Sequence, residues 1–367
     1  MKKHLLAAAV AAAIAGPAAA QNVSVFGVID TGVGSLESGA AASTSYTGSV
    51  NNVLSTSSLG FRGTEDLGGG LKASFVIRQE FTPSTGVIAG RSVLTDDGNA
   101  TNDVKGQRDR FTEVAVSVEG GFGNITLGKH TALARNAAGA GAFIGNAALI
   151  GTGNGVTLRQ LGDNTDNAIS YTTPTINGFR VQAFRGFQNA ASASGATDSA
   201  EAIQTTNGIG VAYANGPLTL GAGQLTRDNV AANTAGSTSD MKTQTIAAGY
   251  DFGAARVGLT YMKFDSATNA TGDEQKITAL QVQVPLTGAL SVIGAYHAYD
   301  EGSSAANDSG KYMMIGALYN FSKRTNAYAI YGKITNEAAA KYSHAFAGAA
   351  SDGDDPRTIA VGLRHSF

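Results

Sequence analysis

Arg62, Lys72, Arg78, Arg180, Arg256 and Arg364 have one feature in common: each stands at the polar parity of a stretch whose alternate residues are apolar. Asp30, Glu80 and Asp251 share that parity. Fixed charges repeated along one face of extended chain line a path for ions, and an excess of Arg and Lys favours anions. The groups that catalysis would need are missing. Without Cys, the 367-residue chain has no disulfide, thiolate-bound zinc or thiol nucleophile. His4, His130, His297, His344 and His365 are scattered, with no paired-ligand spacing. No Gly-x-Ser-x-Gly occurs, and the glycines of 139–145 and 151–155 lack the spacing of a dinucleotide loop. Asp352, Asp354 and Asp355, like Asp300 and Glu301, could meet a hard cation, but a solvated loop is the simpler reading. No enzyme, cofactor or metal site is expected.

The elements that would hold these charges are strands. Ile359, Val361, Leu363 and Phe367 take one parity, and Ala360, Gly362, Arg364 and Ser366 take the other. Leu71, Ala73, Phe75 and Ile77 oppose Lys72, Ser74, Arg78 and Glu80 in the same way. The alternation predicts strands over 22–34, 56–66, 70–82, 110–119, 123–131, 166–174, 178–188 and 207–215. It continues over 217–227, 242–252, 254–265, 275–285, 289–300, 311–321, 324–336 and 357–367. Tight turns such as Ile176-Asn-Gly178 and Asn215-Gly-Pro217 alternate with Ser-, Asn- and Gly-rich connections such as 35–55, 83–109 and 132–165. Seven short and eight long connections give sixteen strands. Strands of this length, with Gly, Thr, Ser, Gln and Arg opposite the apolar face, fit a wet lumen better than the solvent face of a sandwich. In lipid every backbone polar group must pair, which requires closure into a barrel.

Residues 1–20 read as a secretory signal peptide. Lys2, Lys3 and His4 precede an Ala-rich apolar run, Gly16-Pro17 breaks it, and Ala18-Ala-Ala20 suits cleavage before Gln21. The barrel domain is then 21–367, with 24 basic against 28 acidic residues. That acidic balance argues against a nucleic-acid partner.

Several segments carry a family resemblance. They are Val25-Phe-Gly-Val-Ile-Asp-Thr-Gly-Val33, Leu59-Gly-Phe-Arg-Gly-Thr-Glu-Asp-Leu67, Gly121-Phe-Gly-Asn-Ile-Thr-Leu-Gly-Lys129, Asn167-Ala-Ile-Ser-Tyr-Thr-Thr-Pro174, Tyr319-Asn-Phe-Ser-Lys-Arg-Thr325 and Val361-Gly-Leu-Arg-His-Ser-Phe367. Taken in order, they resemble the general diffusion porins of Gram-negative, specifically β-proteobacterial, outer membranes. The resemblance implies an all-β, 16-stranded antiparallel transmembrane β-barrel with an inward-folded third external loop, found in the outer membrane as a homotrimer. It implies a water-filled pore for passive diffusion of ions and small hydrophilic solutes, lipopolysaccharide and outer-membrane lipid as surroundings, and a terminal Phe367 read by the barrel-assembly machinery. Residues 132–165 match the inward loop, and 83–109 match the loop that reaches a neighbouring subunit.

Two departures concern the constriction. The inward loop carries Arg135 and Arg159 against Asp163 alone, and Ser58 stands where the family often has Arg. With the strand charges named first, this predicts a weakly anion-preferring general pore. A substrate-specific anion channel of the same barrel type is the alternative; the chain has no Trp for a sugar slide.

Overall fold

The computed structural model describes residues 23–37, 45–88, 111–145, 150–152, 164–187, 204–229, 241–266, 274–300, 308–344 and 351–367. The first strands are β1 (Ser24–Glu37), β2 (Ser45–Asn51), β3 (Ser58–Gly68), β4 (Leu71–Glu80), β5 (Glu113–Gly120) and β6 (Gly123–His130). The short α1 (Leu133–Asn136) and β7 (Ile150–Thr152) follow, then β8 (Thr165–Thr172), β9 (Phe179–Gly186), β10 (Gln204–Asn215), β11 (Leu218–Asn229) and β12 (Met241–Asp251). The chain continues through β13 (Arg256–Ser266), β14 (Glu274–Pro285), β15 (Leu290–Asp300), β16 (Gly310–Asn320), β17 (Thr325–Asn336), β18 (Tyr342–His344) and β19 (Arg357–Ser366). All but β7 and β18 form one antiparallel sheet in which each strand pairs with its neighbours and β1 returns to β19. Since β2 and β3 are consecutive halves of one stave beside β1, the closed barrel has sixteen staves.

The broken stave corrects the expectation that 35–55 is all external loop. Thr31 to Glu37 pair with Asn51 to Ser45, so β2 is part of the wall. Its sequence, Ser-Tyr-Thr-Gly-Ser-Val-Asn, carries almost no apolar alternation, and only its partner strand reveals it. Residues 52–57 then leave the wall and fold inward, with Asn52 at φ 61° and Val53 fully buried. The opposite end of the barrel uses the tight turns expected. Asn177 and Gly178 both take positive φ (50° and 87°), as a two-residue hairpin turn matching the strand twist requires.

Parity decides what each face meets. Val25, Ile29, Val33, Leu59, Phe61, Ile246, Leu259, Met313, Ile315 and Ile359 are exposed on the outer face, which water would penalise and a hydrocarbon solvent does not. Phe179 on Tyr213, Tyr250 on Phe252 and Tyr319 on Phe321 sit beside the tight turns, forming the aromatic girdle of that interface. On the inner face of β13–β17, lumen-parity residues are also apolar. Met262, Ile277, Ile293, Tyr312, Met314, Ile330 and Ile334 are buried together with Val53, Leu54, Ile144, Ala340 and Tyr342. Those last five come from segments folded into the barrel, so this part of the lumen is filled.

The seam between β1 and β19 ends at Phe367. Its N–H donates to the Gly27 carbonyl and its carbonyl accepts from the Gly27 N–H, both at 3.1 Å. A Cβ on Gly27 would crowd the Ser58 carbonyl and stand 2.6 Å from Cζ of the Phe367 ring, so the ring lies over a position that only Gly fits. His365 shares the outward parity of Leu363 and Phe367, and its Nδ1 meets Thr325 Oγ1 at 2.8 Å. Deleting Phe367 removes two closing backbone bonds, worth about 2 kcal/mol together. The refolded barrel should then unfold at a lower temperature in detergent gel-shift assays, and Gly27→Val should do the same by crowding the Ser58 carbonyl and displacing the ring. Unchanged melting in both variants would remove the seam from the account.

Candidate functional site: the lumen and its inward loop

Residues 131–145 follow β6 into the lumen and run along the inner wall. Their sequence, Thr-Ala-Leu-Ala-Arg-Asn-Ala-Ala-Gly-Ala-Gly-Ala-Phe-Ile-Gly, is two-thirds Ala, Gly and Thr. Alanine favours the single helical turn of α1 and the 3-10 turn Ala137–Ala140 after it. Small side chains also let the segment lie close, and the wall answers with glycine. A Cβ on Gly210 would come 2.6 Å from the Ala134 nitrogen. One on Gly221 would meet Ala137, on Gly223 Ala134, on Gly249 the Ala140 carbonyl and on Gly258 the Gly141 carbonyl. These glycines, on β10 to β13, make a seat for the loop backbone.

Side chains of the wall satisfy the loop's backbone groups, as burial requires. Gln182 Oε1 accepts from Leu133 N–H at 2.6 Å, and Gln281 Oε1 accepts from Phe143 and Ile144 N–H at 2.8 and 3.0 Å. Thr219 Oγ1 donates to the Ala140 carbonyl at 3.1 Å. The Arg256 guanidinium lies over the Phe143 ring, 4.3 Å from its centroid. At its far end, Gly145 packs against the carbonyl of Leu54, so the loop reaches the inward fold between β2 and β3. The third external loop therefore folds inward, as expected.

Arg62, Lys72, Arg78, Glu80, Arg180, Arg256 and Arg364 lie on the face opposite exposed apolar neighbours such as Phe61, Leu71, Phe179, Leu259 and Leu363. Their environments divide them. Arg78 stands between Glu80 and Glu113, at 3.6 and 3.4 Å, and Lys72 meets Glu119 at 3.8 Å. Arg364 Nε donates to Ser55 Oγ at 2.6 Å and is the register partner of Asp30. Asp30 is fully buried and accepts from Leu54 and Ser55 N–H, both at 2.7 Å, and from Tyr328 O–H at 2.8 Å. It pins the 52–57 fold rather than facing the aqueous path. Arg62 lies over Phe26 at 5.1 Å and donates to Ser24 Oγ at 3.3 Å. Among the described residues, Arg62, Arg180 and Arg256 make no ion pair.

The same face carries charges that the sequence reading did not name: Asp66, Glu113, Glu119 and Arg227. Their parity against Leu67, Val114, Val118 and Thr226 is the signal that would have found them. They reduce the basic excess of the strand face. Arg135 belongs to α1, but its side chain lies outside the described residues, as do Arg159 and Asp163 altogether. Among the described residues no three His, Asp or Glu gather as a metal cluster. Asp352, Asp354 and Asp355 turn instead to Lys341, Ser351 N–H and Lys333 respectively.

The glycine seat makes the loop's position testable. Gly258→Val must push Gly141 off β13 toward the lumen, with overpacking costs of about 1–3 kcal/mol. Single-channel conductance should fall, while Gly288→Ala, whose Cβ meets open space, should leave it unchanged. Equal conductance in both variants would contradict the seat.

A family model described as Gram-negative porin matches residues 7–339. Outer membrane porin protein 32 of Delftia acidovorans is 31% identical, and an outer membrane porin protein of Bordetella pertussis is 29% identical, each over the whole of both chains. The anion-selective porin from Comamonas acidovorans superposes with a TM-score of 0.72 at 28% identity, covering 95% of this chain and 100% of that one. A closed sixteen-stave barrel with an outward apolar band, a charged lumen and a loop laid across it is thus an outer-membrane channel, and the chain belongs to the Gram-negative porin family.

Proposed function

We propose that this porin passes ions and small hydrophilic solutes passively with a weak preference for anions. The observation that carries this reading is the unequal pairing of the lumen charges. Arg62, Arg180 and Arg256 face the lumen with no carboxylate partner among the described residues. Glu80 and Glu113 flank Arg78, and Glu119 meets Lys72. Of the three remaining strand acids, Asp30 is buried against the 52–57 fold, and Asp66 and Asp251 sit at tight turns, where each accepts a turn N–H at 2.8 Å, from Gly68 and Gly253 respectively. The loop segment 131–145 contributes no acid. In a narrow path with low-dielectric walls, unpaired guanidinium groups dominate the local field. The anion-selective porin from Comamonas acidovorans supports the same sign.

The assembly reading rests on further residues. Residues 1–20 act as the export signal and 21–367 form the barrel, whose terminal Phe367 is the feature for the assembly machinery. The porin works as a homotrimer in contact with lipopolysaccharide, with 83–109 as the latch between subunits. In support, the start of that segment folds over the outer face of β2: Asn51 Nδ2 donates to Ser84 Oγ at 2.7 Å, and Ser84 N–H to Asn51 Oδ1 at 3.1 Å.

The sign of the preference is open to a two-way test in planar bilayers under a KCl gradient. Replacing Arg62, Arg180 and Arg256 by Gln should move the zero-current potential toward potassium. Glu80→Gln with Glu113→Gln should leave Arg78 unpaired and move it toward chloride. Both shifts should grow as ionic strength drops and the screening length exceeds ~8 Å. A wild-type pore that prefers potassium would overturn the proposal.

A further inference from the structure

The outer wall of β14–β17 carries a groove of about 580 Å³. Its floor is Gly294, where a Cβ would meet only the Met314 carbonyl at 3.7 Å. Tyr296, Met313, Ile315 and Tyr331 rim it, all exposed on the outward parity, and Lys333 closes one end. Register extends that basic end. Lys333 is directly opposite Arg357 on β19, and Lys311, opposite Thr335, is its diagonal neighbour on β16. Directly opposed residues have Cβ atoms ~5 Å apart and diagonal ones ~7–8 Å, so three cations form one oblique row.

Like charges directly opposed on a sheet destabilise it unless an anion sits between them. Elsewhere on this wall the chain supplies that anion itself. Lys263 opposes Lys276, and Glu274 is paired with both. In the Lys311, Lys333 and Arg357 row, the only ion pair among the described residues is that of Asp355 with Lys333, at 3.5 Å. Glu37 stands opposite Arg357 on β1, on the side away from Lys333, and forms no ion pair with it. Lys311 and Arg357 are exposed and make no ion pair among the described residues. This row lies on the long-loop side of the groove, toward the external face.

We infer that this face binds a phosphorylated lipid of the outer leaflet, its phosphate on Lys311, Lys333 and Arg357 and one acyl chain in the groove over Gly294. The inference rests on the lipopolysaccharide contact proposed above and locates it. A groove alone would admit any acyl chain; the unbalanced cations beside it select one whose head is anionic. Charge-assisted contacts to phosphate are stronger than neutral ones, and the shared anion relieves the Lys333–Arg357 repulsion.

The test uses the full-length porin, refolded in detergent, incubated with purified lipid A and washed. Bound lipid is read by native mass spectrometry. Wild type should retain lipid A. Lys311→Gln with Lys333→Gln and Arg357→Gln should retain about tenfold less, the factor for losing one charge-assisted contact. Gly294→Leu, whose Cβ meets no atom closer than 3.7 Å and whose side chain occupies the groove, should retain less while keeping all three cations. A control, Lys263→Gln with Lys276→Gln, should retain lipid A as wild type does. Equal retention in wild type and the triple variant overturns the site. So does loss of subunit association in the triple variant with lipid retention unchanged, which would make this face a contact between copies. So does equal binding of a zwitterionic phosphatidylcholine probe. Conductance and heat-modifiable migration report separately whether the channel itself is intact.

Discussion

Hydrocarbon offers the backbone no hydrogen-bonding partner, and this constraint orders everything else in the molecule. Each strand must find neighbours on both sides, so β1 must meet β19 and the wall must close. Closure at sixteen staves leaves an interior too wide for strand side chains alone to fill, unlike a barrel of ~8 strands. The protein then controls that space with chain folded back into it. Residues 52–57, 131–145 and 340–344 enter from the wall or the external side and bring apolar side chains to the inner face of β13–β17.

How the inward loop stays in place follows from the same accounting of backbone groups. Its N–H and C=O groups near the wall are met by Gln182, Thr219 and Gln281, which occupy lumen parity on three different strands. The glycines between those residues bring the wall close enough for the bonds to form. Arg256 then serves two ends at once: its face stacks on Phe143, and its charge remains available to the lumen.

The repeating elements were legible because outward parity is strongly apolar: Val25, Ile29 and Val33 on β1, or Ile359, Val361 and Leu363 on β19, leave little choice of register. β2 was not legible, since in a short strand made mostly of Ser, Thr and Gly a single residue, Val50, reaches the core. The inner face of β15 was obscured for the opposite reason: Ile293, Ala295, His297 and Tyr299 take lumen parity but are buried by loops distant in sequence. Lumen charge was readable from spacing, whereas pairing was not. Arg78 and Glu113 are joined only by the register of β4 with β5, across a long connection. The glycines of β10–β13 were visible as small residues on the wet face, but their fit to α1 and the turn after it is a fact of three dimensions.

The glycine seat also bears on how the channel discriminates by size. A constriction framed by long side chains would widen and narrow as rotamers exchange within nanoseconds, and its sieving would fade gradually with solute radius. Here the described part of the loop meets the wall as main chain laid on main chain, with Ala134, Ala137, Ala140 and Gly141 against glycine, so the seat itself has no long side chain that could swing. Such an aperture has a hard rim. A rim that does not fluctuate keeps one width from moment to moment, so the cutoff is sharper than a mobile frame would give.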